Sequence, residues 1–333
     1  MNFIGTFNKM EKPVKAPLAG FPGKVFTHTT VEQNLHDGTL QAETIIALHN
    51  AVDLDIAFPM MDLTVEAEAL GAKINWHIDE LPAVTGIKVE TIEDAEALVI
   101  PEIGVGNRLN VFVDTCSALK KAFPNKLVWA YVLGPFSIAG RLMGMTEIAI
   151  ATKLEPELVH AVLGKCNTLL KKYIKALLDT GVDGLMVLEP ASGMLNVDDA
   201  NEFSNDYIKE LVALIKSEGK TPSLHNCGRI QHLVESLCAT GIEALHVGSV
   251  TDPQAIYPRV AQNVVLMGNL DPTEIFLRGT PESVREETLK LYDRMADCER
   301  FIISSGCDLP PGTPIENLKA FASTVSSRSK VTA

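Results

Sequence analysis

The chain has 333 residues, 46% of them hydrophobic and 21% charged, which is typical of a globular protein with one large domain or two average ones. Its formal net charge of -13 argues against nucleic acid or an anionic membrane as a partner. No apolar run is long enough to span a bilayer, and the N-terminus lacks the apolar core of a signal peptide. Six cysteines without paired short spacings predict reduced thiols and a cytoplasmic protein.

The first third of the chain is frequently interrupted by prolines and glycines. Residues 1–30 are predicted to be irregular, and a helix is predicted over residues 31–52. A short apolar strand follows at residues 54–58. Asp62 comes next and is predicted to cap a helix over residues 65–70. Residues 72–108 mix short strands with proline-marked loops, and we interpret them as an excursion that supplies one strand to the sheet.

From residue 127 onward, apolar runs alternate with helical patterns. The helix predicted over residues 156–178 has apolar side chains at spacings of three and four, and Gly181 ends it. A cap, a proline and a glutamate in the first turn mark two further helix starts, at Asp271 and Thr313. The apolar runs predicted as strands are residues 127–133, 184–188, 222–225, 244–247, 264–267 and 301–303.

This alternation predicts the fold class. With the strand at residues 54–58 and one strand from residues 72–108, the chain has about eight strand–helix units. Strands this apolar are buried on both faces, as a parallel sheet requires. The prediction is an α/β fold, a single (β/α)8 TIM barrel over residues 1–333 with an irregular N-terminal extension. A doubly wound open sheet is the alternative, disfavoured because no G-x-G-x-x-G follows a strand.

Polar or metal-binding side chains follow nearly every predicted strand. Because active sites of TIM barrels lie at the carboxyl ends of strands, these residues are candidates for the site. They are Asp62, Glu189, His225, Cys227, His246, Ser249, Asp271 and Cys307. Asp271 is explained as a helix cap. Glu189 could orient substrate, support the site or start a helix. Histidine and cysteine are not favoured caps, so capping does not explain His225, Cys227 and Cys307.

His225 and Cys227 stand two residues apart at the end of a predicted strand. Their side chains therefore point to the same face, as two ligands of a tetrahedral zinc ion must. Cys307, in F-I-I-S-S-G-C-D, is the other cysteine at the end of a predicted strand. The spacing is consistent with a zinc site and equally with buried reduced thiols that pack as small hydrophobes.

Five sequence blocks carry a family resemblance. They are P-M-M-D-L-T-V-E-A-E-A-L-G from Pro59, L-G-P-F-S-I-A-G-R-L-M-G from Leu133, H-N-C-G from His225, G-N-L-D-P from Gly268 and G-C-D-L-P-P-G-T-P-I-E-N-L from Gly306. Together they resemble the uroporphyrinogen decarboxylase superfamily, and within it the methylcobamide:coenzyme M methyltransferase branch. The resemblance covers about residues 27–320.

The resemblance implies a TIM barrel with zinc held by His225, Cys227 and Cys307. It also implies transfer of a methyl group between a corrinoid such as methylcobalamin, on a separate carrier protein, and a small thiol such as coenzyme M. The thiol would react as a zinc-bound thiolate.

Two features separate the branches of this superfamily. Its decarboxylases hold tetrapyrrole carboxylates with arginines near the N-terminus, whereas the first arginine here is Arg108. Decarboxylases also need no H-x-C metal pair, which this chain has at His225 and Cys227. Methyl transfer is therefore favoured over a decarboxylase-type lyase. No D-x-H-x-x-G, the lower-ligand signature of corrinoid carriers, occurs in the chain, so a partner is expected to carry the corrinoid. A demethylase component that loads the corrinoid and a non-catalytic barrel are further alternatives.

One departure concerns the fourth zinc ligand. Related thiol methyltransferases place a glutamate near the end of the next strand, but residues 244–249 contain no acid. Water, His246 or a distant side chain could take that place. Ser249, Glu189 and Asp62 are the further candidates for substrate contacts. The acceptor thiol and the direction of transfer stay open.

Overall fold

Seven parallel strands form one curled sheet in this computed structural model, which describes residues 2–11 and 13–329. The strands of the protein are β1 Ile56–Ala57, β2 Lys73–Asn75, β3 Ala83–Thr85, β4 Leu127–Leu133, β5 Gly184–Leu188, β6 Thr221–Asn226, β7 Ala244–Val247, β8 Val265–Leu270 and β9 Phe301–Ser305. The seven-stranded sheet has the order β1-β4-β5-β6-β7-β8-β9. The predicted α/β fold on a buried parallel sheet is confirmed.

Helices connect the strands. The α-helices are α1 Phe3–Phe7, α2 Lys24–Thr27, α3 Val31–His36, α4 Gly38–Ala51, α5 Val65–Ala69, α6 Ile92–Ala97, α7 Leu109–Ala122, α8 Pro135–Met143, α9 Met145–Leu154, α10 Pro156–Asp179, α11 Val197–Ala200, α12 Asp206–Ser217, α13 Val234–Cys238, α14 Pro253–Ile256, α15 Pro281–Arg294 and α16 Ile315–Ser329. Short 3-10 or π segments are Phe21–Gly23, Pro190–Met194, Asn201–Asn205, Tyr257–Arg259 and Pro272–Leu277. Helix α10 buries the apolar stripe predicted for it.

The prediction that residues 72–108 supply a strand to the main sheet is wrong. Strands β2 and β3 pair with each other in antiparallel fashion and form a separate two-stranded sheet, with Ile74 opposite Val84. Both strands alternate between exposed and half-buried residues. Neither has the two buried faces that a strand of the parallel sheet needs.

The N-terminal segment instead contacts both edges of the seven-stranded sheet. Lys15 forms a parallel bridge with Ile303 in β9, and the Ala16 N–H donates to the Ile303 carbonyl at 3.1 Å. On the other side, the Asp55 N–H donates to the Lys15 carbonyl at 2.9 Å, directly before β1. Part of the segment predicted as irregular therefore lies between β9 and β1.

Two local predictions in the first third are corrected. The helix predicted over residues 31–52 is divided into α3 and α4, because Asp37 adopts an extended backbone and caps α4 through the N–H groups of Thr39 and Leu40. Asp62 does not cap α5, whose N-cap is Thr64. Asp271 does cap the segment that follows it, as predicted.

Aromatic side chains fill the interior below the carboxyl ends of the strands. Trp129 packs edge-on against Phe3, with ring centroids 5.0 Å apart, and also against Phe58. Phe58 stacks on Tyr131 at 5.3 Å. All six cysteines are unpaired, and no helix of the described residues is long and apolar enough to cross a membrane.

Candidate metal centre

Three predicted ligands meet at the carboxyl ends of two strands. His225 is the penultimate residue of β6, Cys227 follows that strand directly, and Cys307 lies two residues after β9. Their ligand atoms all lie within 4.8 Å of one another. His225 is buried, whereas both cysteines are half-buried.

The spacing of these atoms fits a tetrahedral ion. Zn–S and Zn–N distances of about 2.3 and 2.0–2.1 Å place sulfur and nitrogen about 3.6 Å apart around zinc. Cys307 Sγ lies 3.6 Å from His225 Nε2. Two sulfurs and one imidazole are a ligand set that zinc prefers, and three protein ligands leave one tetrahedral position open. The donor set therefore fits zinc.

Two glycines allow the ligand loops to approach each other. A Cβ at Gly248, after β7, would lie 2.5 Å from the Cys227 carbonyl oxygen. A Cβ at Gly306 would lie 2.6 Å from the Ser249 amide nitrogen. Because these neighbours are backbone atoms, they cannot move aside as a flexible side chain can. The glycines thus permit the close packing of the loops that follow β6, β7 and β9.

The two cysteines are electrostatically unequal. The pKa of Cys227 is lowered to about 4, first by a hydrogen bond from the Cys307 thiol and then by His225, against the effect of burial. The same hydrogen bond, together with burial, raises the pKa of Cys307 well above its ordinary value. The two sulfurs are therefore close enough to share a proton, which a bound cation would displace.

His246 contacts His225 and is not one of the three clustered ligands. Its Nδ1 lies 2.8 Å from Nδ1 of His225, and its Nε2 lies 2.9 Å from Oγ of Ser304. Burial, followed by the nearby His225, lowers the pKa of His246 well below its usual value. Both nitrogens of this neutral ring are hydrogen-bonded, which disfavours His246 as the fourth ligand.

Three further residues were predicted to contact substrate, and the side chain of each is hydrogen-bonded to another part of the protein. Ser249 is exposed, and its hydroxyl donates to Asp271 at 3.0 Å. The Glu189 carboxylate is buried and accepts from the Phe136 and Ser137 N–H groups, in the first turn of α8. Glu189 is thus a helix-start residue for α8, and burial raises its pKa to about 7.

Asp62 belongs to a buried charge cluster. Its Oδ2 accepts from Arg108 at 2.6 Å, and its Oδ1 accepts from the Thr64 N–H and hydroxyl. Arg108 also pairs with Glu68 at 2.6 Å. This arginine is nine-tenths buried, so the pairing satisfies charges that would otherwise be costly to bury.

Tyr131 and Ser304 are site residues that the sequence analysis missed. The Tyr131 hydroxyl is buried and has no hydrogen-bond partner among the residues that the structure describes. Its pKa is raised well above the ordinary value, first by burial and then by the charges of Asp308 and Cys307. Alternation along β4 could have indicated that Tyr131 faces inward. No local signal marks Ser304, whose partner His246 lies 58 residues away in the sequence.

The fold and site define an α/β enzyme with a metal-type ligand group at the carboxyl ends of parallel strands. A family model described as uroporphyrinogen decarboxylase (URO-D) matches residues 21–328. The chain therefore belongs to this family, which confirms the resemblance seen in the sequence blocks.

Curated relatives include both branches of the superfamily. A methylcobamide:CoM methyltransferase MtbA from Methanosarcina acetivorans is 27% identical over 320 residues, covering 92% of each chain. A uroporphyrinogen decarboxylase from Chlorobium limicola is 26% identical, covering 84% of this chain and 82% of the relative. A solved methyltransferase from Methanosarcina mazei has a TM-score of 0.84 at 19% identity, covering 95% of this chain and 94% of its own, and shows the same fold. The prediction of an enzyme of the methyltransferase class is confirmed.

Proposed function

We propose that this enzyme transfers a methyl group between a corrinoid on a partner protein and a small thiol such as coenzyme M, using zinc at His225, Cys227 and Cys307. The observation that carries the proposal is the three-ligand group, whose sulfur–nitrogen separation of 3.6 Å suits a tetrahedral ion with one open position. The similarity to a methylcobamide:CoM methyltransferase supports this choice of donor and acceptor.

Zinc in this group would lower the pKa of an incoming thiol, which is near ~8.5 in free cysteine. Two cysteine thiolates and a neutral His225 balance the charge of a dication, so the open position suits a neutral or singly charged ligand. In the transfer, the C–Co bond breaks with its electron pair staying on cobalt, a C–S bond forms, and the thiol proton goes to solvent. The protein's part is chiefly to position the two reactants.

A partner that carries the corrinoid is supported by the sequence, because the chain lacks the D-x-H-x-x-G carrier signature. The reverse reaction, in which a methylated donor loads the corrinoid, would use the same ligands.

The alternative is a decarboxylase-type lyase, since decarboxylases are among the relatives. The chain has no arginine before Arg108, and Arg108 is ion-paired with Asp62 and Glu68. It is therefore not free to hold tetrapyrrole carboxylates. A lyase also has no need of the His225, Cys227 and Cys307 group.

We also infer that the fold is a single (β/α)8 barrel whose eighth position is taken by residues 14–18. The contacts of Lys15 with Ile303 and Asp55 support closure of the sheet by this segment. The six unpaired cysteines support a reducing, cytoplasmic location.

The decisive experiment incubates zinc-loaded protein with methylcobalamin and coenzyme M and follows the absorbance change as the methyl–cobalt bond breaks. We expect loss of methylcobalamin and formation of methylated thiol in equal amounts. Decarboxylation of uroporphyrinogen without any reaction of methylcobalamin across a panel of thiols would show that the lyase alternative is correct.

A further inference from the structure

A chain of hydrogen bonds runs from the site to the N-terminal segment. His225 Nδ1 lies 2.8 Å from His246 Nδ1, and His246 Nε2 lies 2.9 Å from Ser304 Oγ. The Ser304 hydroxyl donates to the Ala16 carbonyl at 2.7 Å. His246 and Ser304 are fully buried, so water does not compete for these groups.

The strand register explains why the two imidazoles meet. His225 in β6 pairs with His246 in β7 across the parallel ladder, and both side chains leave the sheet on the same face. Ser304 lies in β9, beyond β8, and reaches His246 across the interior of the curled sheet. The chain of bonds therefore links three strands and the segment around Ala16.

The carbonyl of Ala16 determines the direction of the other hydrogen bonds in this chain. A carbonyl can only accept, so the single hydroxyl hydrogen of Ser304 is committed to Ala16. Ser304 Oγ must then accept from His246, which puts the His246 proton on Nε2. A neutral imidazole carries one N–H, so His246 Nδ1 is an acceptor. His225 Nδ1 must donate to it, and His225 Nε2 is the nitrogen that faces Cys307.

We propose that Ser304 and His246 are positioning residues that fix a proton on Nδ1 of His225 and turn its Nε2 toward the two cysteine sulfurs. This inference rests on the proposed function, because the positioning of His225 would serve the metal site. The position of the His225 proton can nevertheless be measured in the metal-free chain. A ligating histidine held by a hydrogen bond at its other nitrogen binds metal more tightly, because its ring is already oriented.

The first test needs no metal. Metal-free protein labelled with nitrogen-15 at histidine is examined by long-range proton–nitrogen correlation spectroscopy. We expect His225 to carry its proton on Nδ1 and His246 to carry its proton on Nε2. Absence of a proton on Nδ1 of His225 in the wild-type protein would overturn the proposal.

The second test measures zinc affinity by competition with a chelator in Ser304→Ala, His246→Phe and His246→Asn. We expect the first two variants to bind zinc about 10–100-fold more weakly. His246→Asn keeps an acceptor oxygen near the position of Nδ1 and should recover part of the loss. Ser304→Thr keeps the hydroxyl, so its zinc affinity and its His225 tautomer should be those of the wild type.

Two control variants lie away from the site. Ser236→Ala removes a helix hydroxyl that donates to Leu233, and His160→Phe replaces an outer histidine that contacts Tyr207. Both should bind zinc as the wild type does. Unchanged affinity in Ser304→Ala and His246→Phe would overturn the proposal. If wild-type protein binds no zinc yet shows the expected tautomers, the metal function is wrong and the positioning chain is supported.

Discussion

The sulfur of Cys307 lies 3.6 Å from Nε2 of His225, although 82 residues separate the two in the chain. The contact depends on the curling of the sheet, since β6 and β9 are separated by β7 and β8. Gly248 and Gly306 let the intervening loops pack backbone against backbone, which brings the strand ends within reach. The ligand group is therefore set by the whole sheet and not by a local motif.

The first prediction concerns metal content. Wild-type protein purified without chelator should contain close to one zinc per chain by elemental analysis. Cys307→Ala leaves two protein ligands, His225 and Cys227, and should lose most of the metal. Its circular dichroism spectrum should stay that of the wild type, because the large apolar core does not depend on the ion.

Cys298→Ala is the matched control for this experiment. Cys298 is also half-buried and unpaired, but it lies after α15 and outside the ligand group. Its removal should leave the zinc content unchanged. Wild-type protein that holds no metal and binds none on titration would contradict the prediction.

The second prediction concerns Tyr131. Its buried hydroxyl lacks a partner among the described residues and is affected by the charge of Cys307. We expect this hydroxyl to hydrogen-bond the bound thiol substrate. Tyr131→Phe should lower kcat/KM for the thiol about 10–100-fold, the value of one hydrogen bond to a charged group, with unchanged zinc content. Steady-state kinetics and metal analysis of the same preparations check both points, and unchanged kcat/KM would contradict it.

The three candidate ligands that the structure brings together could be predicted from the sequence because their signals are local. His225 and Cys227 alternate along one strand, and Cys307 follows a second apolar run. Sequence reasoning failed where pairing is non-local. The sequence predicts that one strand from residues 72–108 joins the sheet, but β2 and β3 pair with each other. The contacts of Lys15 with Ile303 and Asp55 have no local signature. His246 was recognised as a site residue, but its contact with Ser304 depends on the curvature of the sheet.

The third prediction concerns pH and Glu66. Burial raises the pKa of Glu66 to about 7, against an ordinary value of 4.5. Between these values the folded chain binds more protons at this residue than the unfolded chain, so its contribution to stability falls as pH rises. A glutamine at position 66 does not titrate, and its side-chain carbonyl can still accept from the Leu133 N–H.

Glu66→Gln should therefore gain stability relative to the wild type as pH rises. Each pKa unit corresponds to about 1.4 kcal/mol, so the relative gain between pH 5 and pH 8 should be about 2–3 kcal/mol. Urea denaturation of both proteins at the two pH values measures it. A constant difference between them would show that Glu66 ionises alike in the folded and unfolded chains.

The last prediction compares two glycines that differ in the space around them. Gly134 precedes α8, and a Cβ there would overlap the carboxylate of Glu189. That carboxylate is held by the N–H groups of Phe136 and Ser137, so it cannot move without losing them. Gly134 has ordinary extended backbone angles, so the cost of a substitution comes from the overlap alone. Gly134→Ala should destabilise the protein by about 1–3 kcal/mol.

Gly164→Ala is the matched substitution with the opposite expected sign. Gly164 lies inside α10, and a Cβ there meets no atom within 4 Å. Alanine should therefore stabilise the helix by about 0.5–1 kcal/mol through its higher helix propensity. Urea denaturation of both variants gives the two signs. Combining Gly134→Ala with Glu189→Ala removes the overlapping carboxylate, so the double variant should be more stable than the sum of the single losses. Strict additivity would show that Gly134 is not constrained by Glu189.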